Sequence, residues 1–396
     1  MSDFTINTDK VRSILSVNGL LPIIELILNT VLQAEATEQI GADPHERSES
    51  RLTYRNGYRE RIIITPSGKI KLNIPKFRNG TFTTEVIESY QRCDQALIAC
   101  IIEMYFMGVS TRKVTEVVET LCGHSVSKSF VSHIVKRVDP EIEAWRKRDL
   151  SEKAYPFIMA DAIVTRVRES GQVRQKSVLI VSGINEDGIR EILGFITGDK
   201  ESETSWSECF NDLKERGLRG VEYVISDSHK GLVNAIKTHL QSAVWQRCQA
   251  HMTRNIMDVT PKNIKQELAH DLRLLFNSDN PVDARKRFND ILTTYGDKAP
   301  KAMDCLENGY DDCTAVLSLP SYYQKKLRTT NCQERMNREL RRRERAISIF
   351  PNLASLERVM GALLIQIHEE GFSCNRFFNM DEFKAFKNKT VEESIS

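Results

Sequence analysis

The stretch "FIMADAIVTRVR" (residues 157–168) is apolar and β-branched apart from one carboxylate, Asp161, and the two arginines near its end. Such a composition reads as a β-strand. A charge set among Phe157, Ile158, Met159, Ala160, Ala162, Ile163 and Val164 is costly unless a cation or hydrogen bonds satisfy it. Its same-face neighbours at spacing two are Met159 and Ile163. Asp161 therefore reads as a functional group rather than as a strand-end or bulge residue. Two more strands follow, "KSVLIVSGIN" (176–185) and "IREILGFITG" (189–198), and the short connections between the three predict an antiparallel meander. A polar helix over Glu203–Arg216, a fourth strand "VEYVISD" (221–227), a helix near 229–240 and a short strand "AVWQRC" (243–248) come next.

Three antiparallel strands followed by alternating α and β elements predict an α/β fold with a ribonuclease-H-like core. In that sheet the first and fourth strands lie side by side, so Asp161 and Asp227 face each other. Taken alone, Asp227 before Ser228 reads as a cap of the next helix. As a pair, the two carboxylates repel, and a divalent cation is the usual remedy. Hard cations such as Mg²⁺ bind through one or two carboxylates plus substrate phosphates. A third carboxylate on a following helix would complete a two-metal site.

The candidate is Glu334, in "RTTNCQERMNRELRRRERAISIFPN" (328–352), which carries seven arginines from Arg328 to Arg345. Surface ion pairs of Glu334 with Arg338 and Glu339 with Arg343 are the plain alternative. Thr329, Thr330 and Asn331 are capping types, and Met336, Leu340 and Ile347 predict the buried stripe of a helix. Glu334, Asn337, Arg338, Arg341 and Arg345 then share another face. Arg338, Arg341, Arg342 and Arg345 read as phosphate clamps. The chain between Asp227 and Glu334 is too long for a simple connection, which predicts a helical insertion over 249–325.

Ahead of this core, residues 8–41 predict helix, and two runs around Pro66-Ser67-Gly68 predict a basic hairpin. Its arginines, Arg55 and Arg59 among them, fit a solvated face or a DNA-backbone contact equally. Helices are predicted near 94–107, 111–121 and 127–137, with Ser110 and Ser127 as N-caps. Two short helices around a glycine-containing turn, the second bearing Lys128, Lys136 and Arg137, fit a helix-turn-helix or a plain bundle. The expected segments are 1–50 (helical), 51–90 (basic hairpin), 91–150 (helix-turn-helix), 151–248 (first part of the core), 249–325 (helical insertion) and 326–396 (core completion with the Glu334 helix and C-terminal helices).

The formal net charge of 396 residues is only +2, so affinity for a polyanion must rest on local patches. Nine cysteines without a C-x-x-C pair argue against a disulfide framework and a ready-made zinc site. Cys248-x-x-His251 offers two ligands where structural zinc needs four. Trp245 reads as core, or as a platform for an unpaired base, and His229 as a helix-surface residue. With no signal peptide and no membrane span, the expectation is a soluble, cytoplasmic, nucleoid-associated protein.

"FIMADAIVTRVRE", "VISDSHKGL", "WQRCQAHMTRN" and "RTTNCQERMNRELRRRERAISIFPN", in this order, resemble the Mutator-like transposases of bacterial insertion sequences. The likeness runs almost end to end, since "YRNGYRERIIITPSGKIKLNIPKFRNGTF" (54–82) resembles that family's N-terminal region. It implies that the family's Asp-Asp-Glu triad falls on Asp161, Asp227 and Glu334, and its Cys-x-x-His pair on Cys248 and His251. It further implies two Mg²⁺ (or Mn²⁺) ions, double-stranded DNA as partner (terminal inverted repeats and target), and a homodimer or higher assembly. The expected activity is metal-dependent strand cleavage and strand transfer. Two other readings stay open: a metal-dependent endonuclease without strand transfer, and a non-catalytic DNA-binding regulator derived from a transposase.

Overall fold

The computed structural model describes residues 21–48, 50–65, 68–84, 95–122, 125–373 and 376–395, without the side chains of residues 331, 332, 334, 335, 371–373 and 389–395. The helix expected over 8–20 and the turn at Pro66-Ser67 lie outside these residues. The chain divides into two compact units, Met1–Arg137 and Val138–Ser396.

In the first unit, helix α1 (Leu21–Ile40) lies on the hairpin of β1 (Arg55–Thr65) and β2 (Gly68–Phe77). Leu32 of the helix joins Ile63, Ile70, Leu72 and Ile74 in one apolar cluster. Pro75 in β2 has no N–H to give the ladder, and opposite it the register slips between Arg55 and Tyr58. Gly57 takes up the slip with φ +73°. Helices α2 (Gln95–Phe106), α3 (Thr111–Cys122) and α4 (Lys128–Val135) pack around Ile101, Val114, Val118 and Val131. Ser127 caps α4 by accepting the Phe130 N–H at 3.0 Å, and Ser110 Oγ accepts from Lys113 N at 3.3 Å. The helix expected to run to residue 137 ends at Val135 and tightens into a 3-10 turn over Lys136–Val138. The reason is Pro140, in the first turn of the next helix: it has no N–H to donate to Lys136 O, so a continuous helix is disfavoured.

In the second unit, five strands form a mixed sheet in the order β5-β4-β3-β6-β7. They are β3 (Phe157–Glu169), β4 (Gln172–Ile184), β5 (Arg190–Gly198), β6 (Tyr223–Ser226) and β7 (Val244–Arg247). The first three pair antiparallel, whereas β6 runs parallel to both β3 and β7. Helices α6 (Glu203–Glu215) and α7 (Lys230–His239) cover one face through Trp206, Phe210, Leu232 and Ile236. The other face is sealed by an aromatic cluster in which Phe157 meets Tyr323, Phe378 and Phe383 at ring distances of 4.8–6.0 Å. Helix α5 (Asp139–Arg146), expected to go with the 91–150 segment, belongs to this unit. Arg358 grips Asp139 there through two hydrogen bonds of 2.5 and 2.6 Å.

The insertion is helical: α8 (Gln249–Val259), α9 (Lys265–Phe276), α10 (Pro281–Tyr295), α11 (Pro300–Glu307) and α12 (Tyr310–Thr314). It has its own core around Leu268, Leu272, Phe288, Ala302 and Leu306. The chain returns through α13 (Ser321–Leu327) to α14 (Asn331–Ile347), α15 (Leu353–Ser373) and α16 (Asp381–Ile395). Beyond α14, Phe350 hydrogen-bonds on both sides to the far end of β3, with Arg166 O at 2.9 Å and Arg168 N at 2.8 Å.

Candidate active site

The parallel register sets Phe157 against Tyr223 and Met159 against Ile225. The same offset carried two residues on brings Asp161 opposite Asp227, which immediately follows β6. This is the carboxyl edge of a parallel strand, where α/β sheets gather their ligands.

Asp161 is half-buried, and its two oxygens have separate partners. Oδ1 accepts the N–H of Ala162 at 2.8 Å, and Oδ2 accepts from Asn337 Nδ2 at 2.6 Å. Burial lifts the Asp161 carboxyl to about 6, against the Ala162 hydrogen bond; the Asp227 charge raises it further, while His251 and Arg341 pull it down. Asp227 Oδ1 accepts the backbone N–H of His229 at 3.1 Å, which fixes the turn into α7. The N-cap itself is His229, so the carboxylate holds the turn without capping the helix. Trp245 donates to Ser226 Oγ at 2.9 Å, and Ser226 donates onward to Asp227 O at 2.8 Å. Trp245 thus serves the frame beneath Asp227.

A fourth acidic residue, Glu201, stands in the link between β5 and α6. Burial raises its carboxyl above the usual range, and the charge of Asp227 adds to this against the neighbouring His229. It accepts from Trp206 Nε1 at 3.2 Å and lies 3.5 Å from His229 Nδ1. In the sequence it sits in the charged run 199–203 and reads as the solvated approach to a helix; only the fold turns it inward.

Cys248 and His251 follow β7. The buried Cys248 joins two arms of the site: its N–H donates to Ser226 O at 2.7 Å, and its Sγ accepts the Thr330 N–H at 3.4 Å. Burial pushes the thiol up, but hydrogen bonds with His251 and Thr330 outweigh it, leaving the thiol below its ordinary value. Contact with Cys248 raises His251 in turn, against burial. Thr330 is the N-cap residue of α14 but makes no side-chain cap; its hydroxyl faces Cys248 Sγ at 3.4 Å instead.

Met336 and Leu340 are buried as expected, Ile347 only partly, and the packed face of α14 also holds Gln333, Asn337 and Arg343. Gln333 Nε2 donates to Ile180 O at 3.0 Å across the sheet. Arg338, Arg341 and Arg345 are exposed, and Arg342 pairs with Glu339 at 3.0 Å. Glu334 occupies the first turn of α14, one turn ahead of Asn337; its side chain lies outside the described residues. Among the described residues no three His, Cys, Asp or Glu side chains are grouped to hold a metal ion. In the first unit Lys128, Lys136, Arg137 and Arg59 are exposed. Arg55 is turned inward, donating to Thr37 Oγ1 at 2.7 Å and Ala42 O at 3.2 Å, which gives it a structural part.

Asn337 is the neighbour that most directly holds a site carboxylate. Asn337→Ala is expected to lower activity about 10–100-fold, the usual cost of removing a partner that orients a metal-ligating carboxylate. A rate assay beside a melting curve on the same preparation separates loss of function from loss of fold.

A family model described as "Transposase, Mutator family" matches residues 3–373. The chain belongs to the Mutator family of transposases. This Mutator-family transposase is 42% identical over 386 residues to the transposase for insertion sequence element IS256 in transposon Tn4001 of Staphylococcus aureus, covering 96% of this chain and 99% of that one. It is 39% identical over 377 residues to the transposase for insertion sequence element ISRM5 of Rhizobium meliloti, covering 95% and 94%. Among solved structures it is similar to the Drosophila P element transposase strand transfer complex, with TM-score 0.30, 11% identity, and coverage of 74% and 85%. Among the described residues of this transposase, no helix is long and apolar enough to cross a membrane.

Proposed function

We propose that this transposase is of the three-carboxylate, metal-dependent type, with a ribonuclease-H-like core in the second unit and a helix-turn-helix in α3 and α4. It binds the terminal inverted repeats of its insertion sequence, cleaves a strand at the element's end, and joins that end to target DNA. What supports the reading is the β3–β6 register, whose offset carried two residues past Met159 and Ile225 relates Asp161 to Asp227, together with a partner-bound, half-buried Asp161 whose carboxyl is lifted to about 6 by burial and by the Asp227 charge. Two carboxylates held against their mutual repulsion suit a divalent cation.

Asp161, Asp227 and Glu334 would hold two divalent ions, Mg²⁺ or Mn²⁺. When bound, such ions activate the attacking oxygen and stabilise the leaving one. The chain's own groups do the positioning. Asn337 fixes Asp161 Oδ2, and the His229 N–H fixes Asp227 Oδ1. Arg341 supplies positive charge beside Asp161. The exposed Arg338 and Arg345, and Arg342 beside Glu339, hold phosphates of the bound strand, for which the planar guanidinium is well shaped. Hydrolysis of one phosphodiester frees a 3′-hydroxyl. That hydroxyl then displaces the 3′-oxygen of a target phosphodiester, so one bond forms as one breaks. Lys128, Lys136, Arg137 and Arg59 contact the end DNA, and two ends handled together call for at least a dimer.

The test is incubation with a labelled duplex carrying the element's end, in Mg²⁺ or EDTA, beside Glu334→Gln. Metal-dependent nicking and joining are expected in the wild type. The variant is expected to bind but leave the duplex whole. Nicking that survives in the variant overturns the role of Glu334, and tight binding without cleavage in the wild type overturns the enzymatic reading.

A further inference from the structure

The first unit contains a cavity of about 770 Å³ that strand cleavage does not use. Arg47, Arg51, Tyr54, Arg55 and Tyr58 line it, with Glu46. Two of these side chains are aromatic and turned to solvent: Tyr54 is 62% exposed and Tyr58 53%. Aromatic rings exposed beside a concavity offer π-faces on which a planar group can stack. Both rings are held. The Tyr58 hydroxyl donates to Gln33 Oε1 at 3.3 Å. The Arg51 guanidinium stands over the Tyr54 ring, 5.4 Å from its centroid. Arg51 is itself anchored by donating to the carbonyls of Asp43, at 2.9 Å, and Glu46. One face of Tyr54 is therefore backed by a fixed cation, and the exposed remainder lines the cavity.

The surroundings are basic. From Pro44 to Arg78 the chain carries nine lysines and arginines against three glutamates. At the cavity Glu46 stands against Arg47, Arg51 and Arg55, its carboxylate accepting the Asp43 N–H at 2.7 Å. Arg55, bound to Thr37 and Ala42, is wall rather than contact. A polyanion fits this charge, and the tyrosines narrow the choice. Bases in a duplex are stacked on one another and offer only their edges, whereas an unpaired base offers a π-face.

We propose that this cavity binds an unpaired DNA strand, with a base stacked on Tyr54 and its phosphates drawn by Arg47 and the basic hairpin. The inference rests on the DNA-transposase reading and adds a second kind of substrate contact to it. Cleavage and joining expose unpaired strands at DNA ends, which gives such a contact something to hold. Stacking is tolerant of sequence, so the site would take any base.

The test measures fluorescence anisotropy of the full-length protein with oligothymidine and, separately, with a duplex of random sequence. Wild type is expected to bind both. Tyr54→Ala is expected to weaken oligothymidine binding about fivefold or more while leaving duplex binding unchanged, and Tyr54→Phe is expected to retain both. Tyr58→Ala serves as a second variant, and unchanged thermal unfolding shows that each variant is folded. Equal losses on both probes, or none, overturn the inference. So does a change confined to self-association, which would assign the surface to a second copy of the chain. A wild type that binds duplex but not oligothymidine overturns this inference alone. One that binds neither overturns the DNA-binding reading with it.

Discussion

Asp161→Asn is expected to move activity and stability in opposite directions. Cleavage should fall on the order of 10³-fold, the scale of losing a group that organises transition-state charge. Thermal stability of the metal-free protein at neutral pH should rise. The sign follows from protonation. The Asp161 carboxyl titrates at about 6 in the folded chain because burial and Asp227 disfavour its charge, whereas an unfolded aspartate titrates near about 3.9. Between those values the folded state binds more protons than the unfolded one, so stability drops as pH rises through that window. By pH 7 the ionised group costs about 1–3 kcal/mol, which asparagine removes; its single oxygen can accept from Asn337 or from the Ala162 N–H but not from both, so part of that gain is offset. Melting curves in EDTA across this range should show the wild type losing stability with rising pH and the variant losing less. Adding Mg²⁺ should stabilise the wild type more than the variant. A variant less stable than wild type at neutral pH would contradict the strained-carboxylate account.

Phe157→Ala carries the largest expected effect on stability. Phe157 is fully buried, with Tyr223, Tyr323, Phe378 and Phe383 all within 6.0 Å between ring centroids. Truncation removes the transfer free energy of a benzyl group and leaves a cavity that rings from three separate segments cannot readily close, about 3–5 kcal/mol in such settings. For a unit of this size that corresponds to a fall in melting temperature of roughly 6–20 °C. The damage should extend to catalysis. Phe157 and Tyr223 open the β3–β6 register whose offset, carried past Met159 and Ile225, relates Asp161 to Asp227, so loosening it is expected to loosen both carboxylates. Differential scanning calorimetry, with cleavage assayed well below the melting point, checks both halves. A shift of only a degree or two would mean that the cluster repacks.

The strands, the insertion and the place of the acidic residues follow from local rules. Asp161 is legible because one charge interrupts an otherwise apolar, β-branched run. The meander is legible from short turn-rich connections, and the insertion from a chain too long to be a loop. The offset between Asp161 and Asp227 equals the register offset of β3 and β6, so a reading of strand order already pairs them. The strand, turn and carboxylate signals are each confined to a few residues, where periodicity and turn chemistry operate, whereas pairing Asp161 with Asp227 also requires the strand order.

Tertiary structure decided what polar side chains do once buried. Asn337 and Gln333 have the composition of a solvated helix face, yet they hydrogen-bond to Asp161 and Ile180 because α14 is laid against the sheet. Glu201 looks like one charge in a hydrophilic run and becomes a neighbour of Asp227 only when β5 delivers it to the strand edge. Thr330, a capping type, faces Cys248 instead, and Arg55, an arginine among arginines, turns inward onto α1. In each case the deciding partner is distant in sequence. The free energy of a buried polar group depends on whether a specific donor or acceptor meets it, and composition carries no record of that meeting.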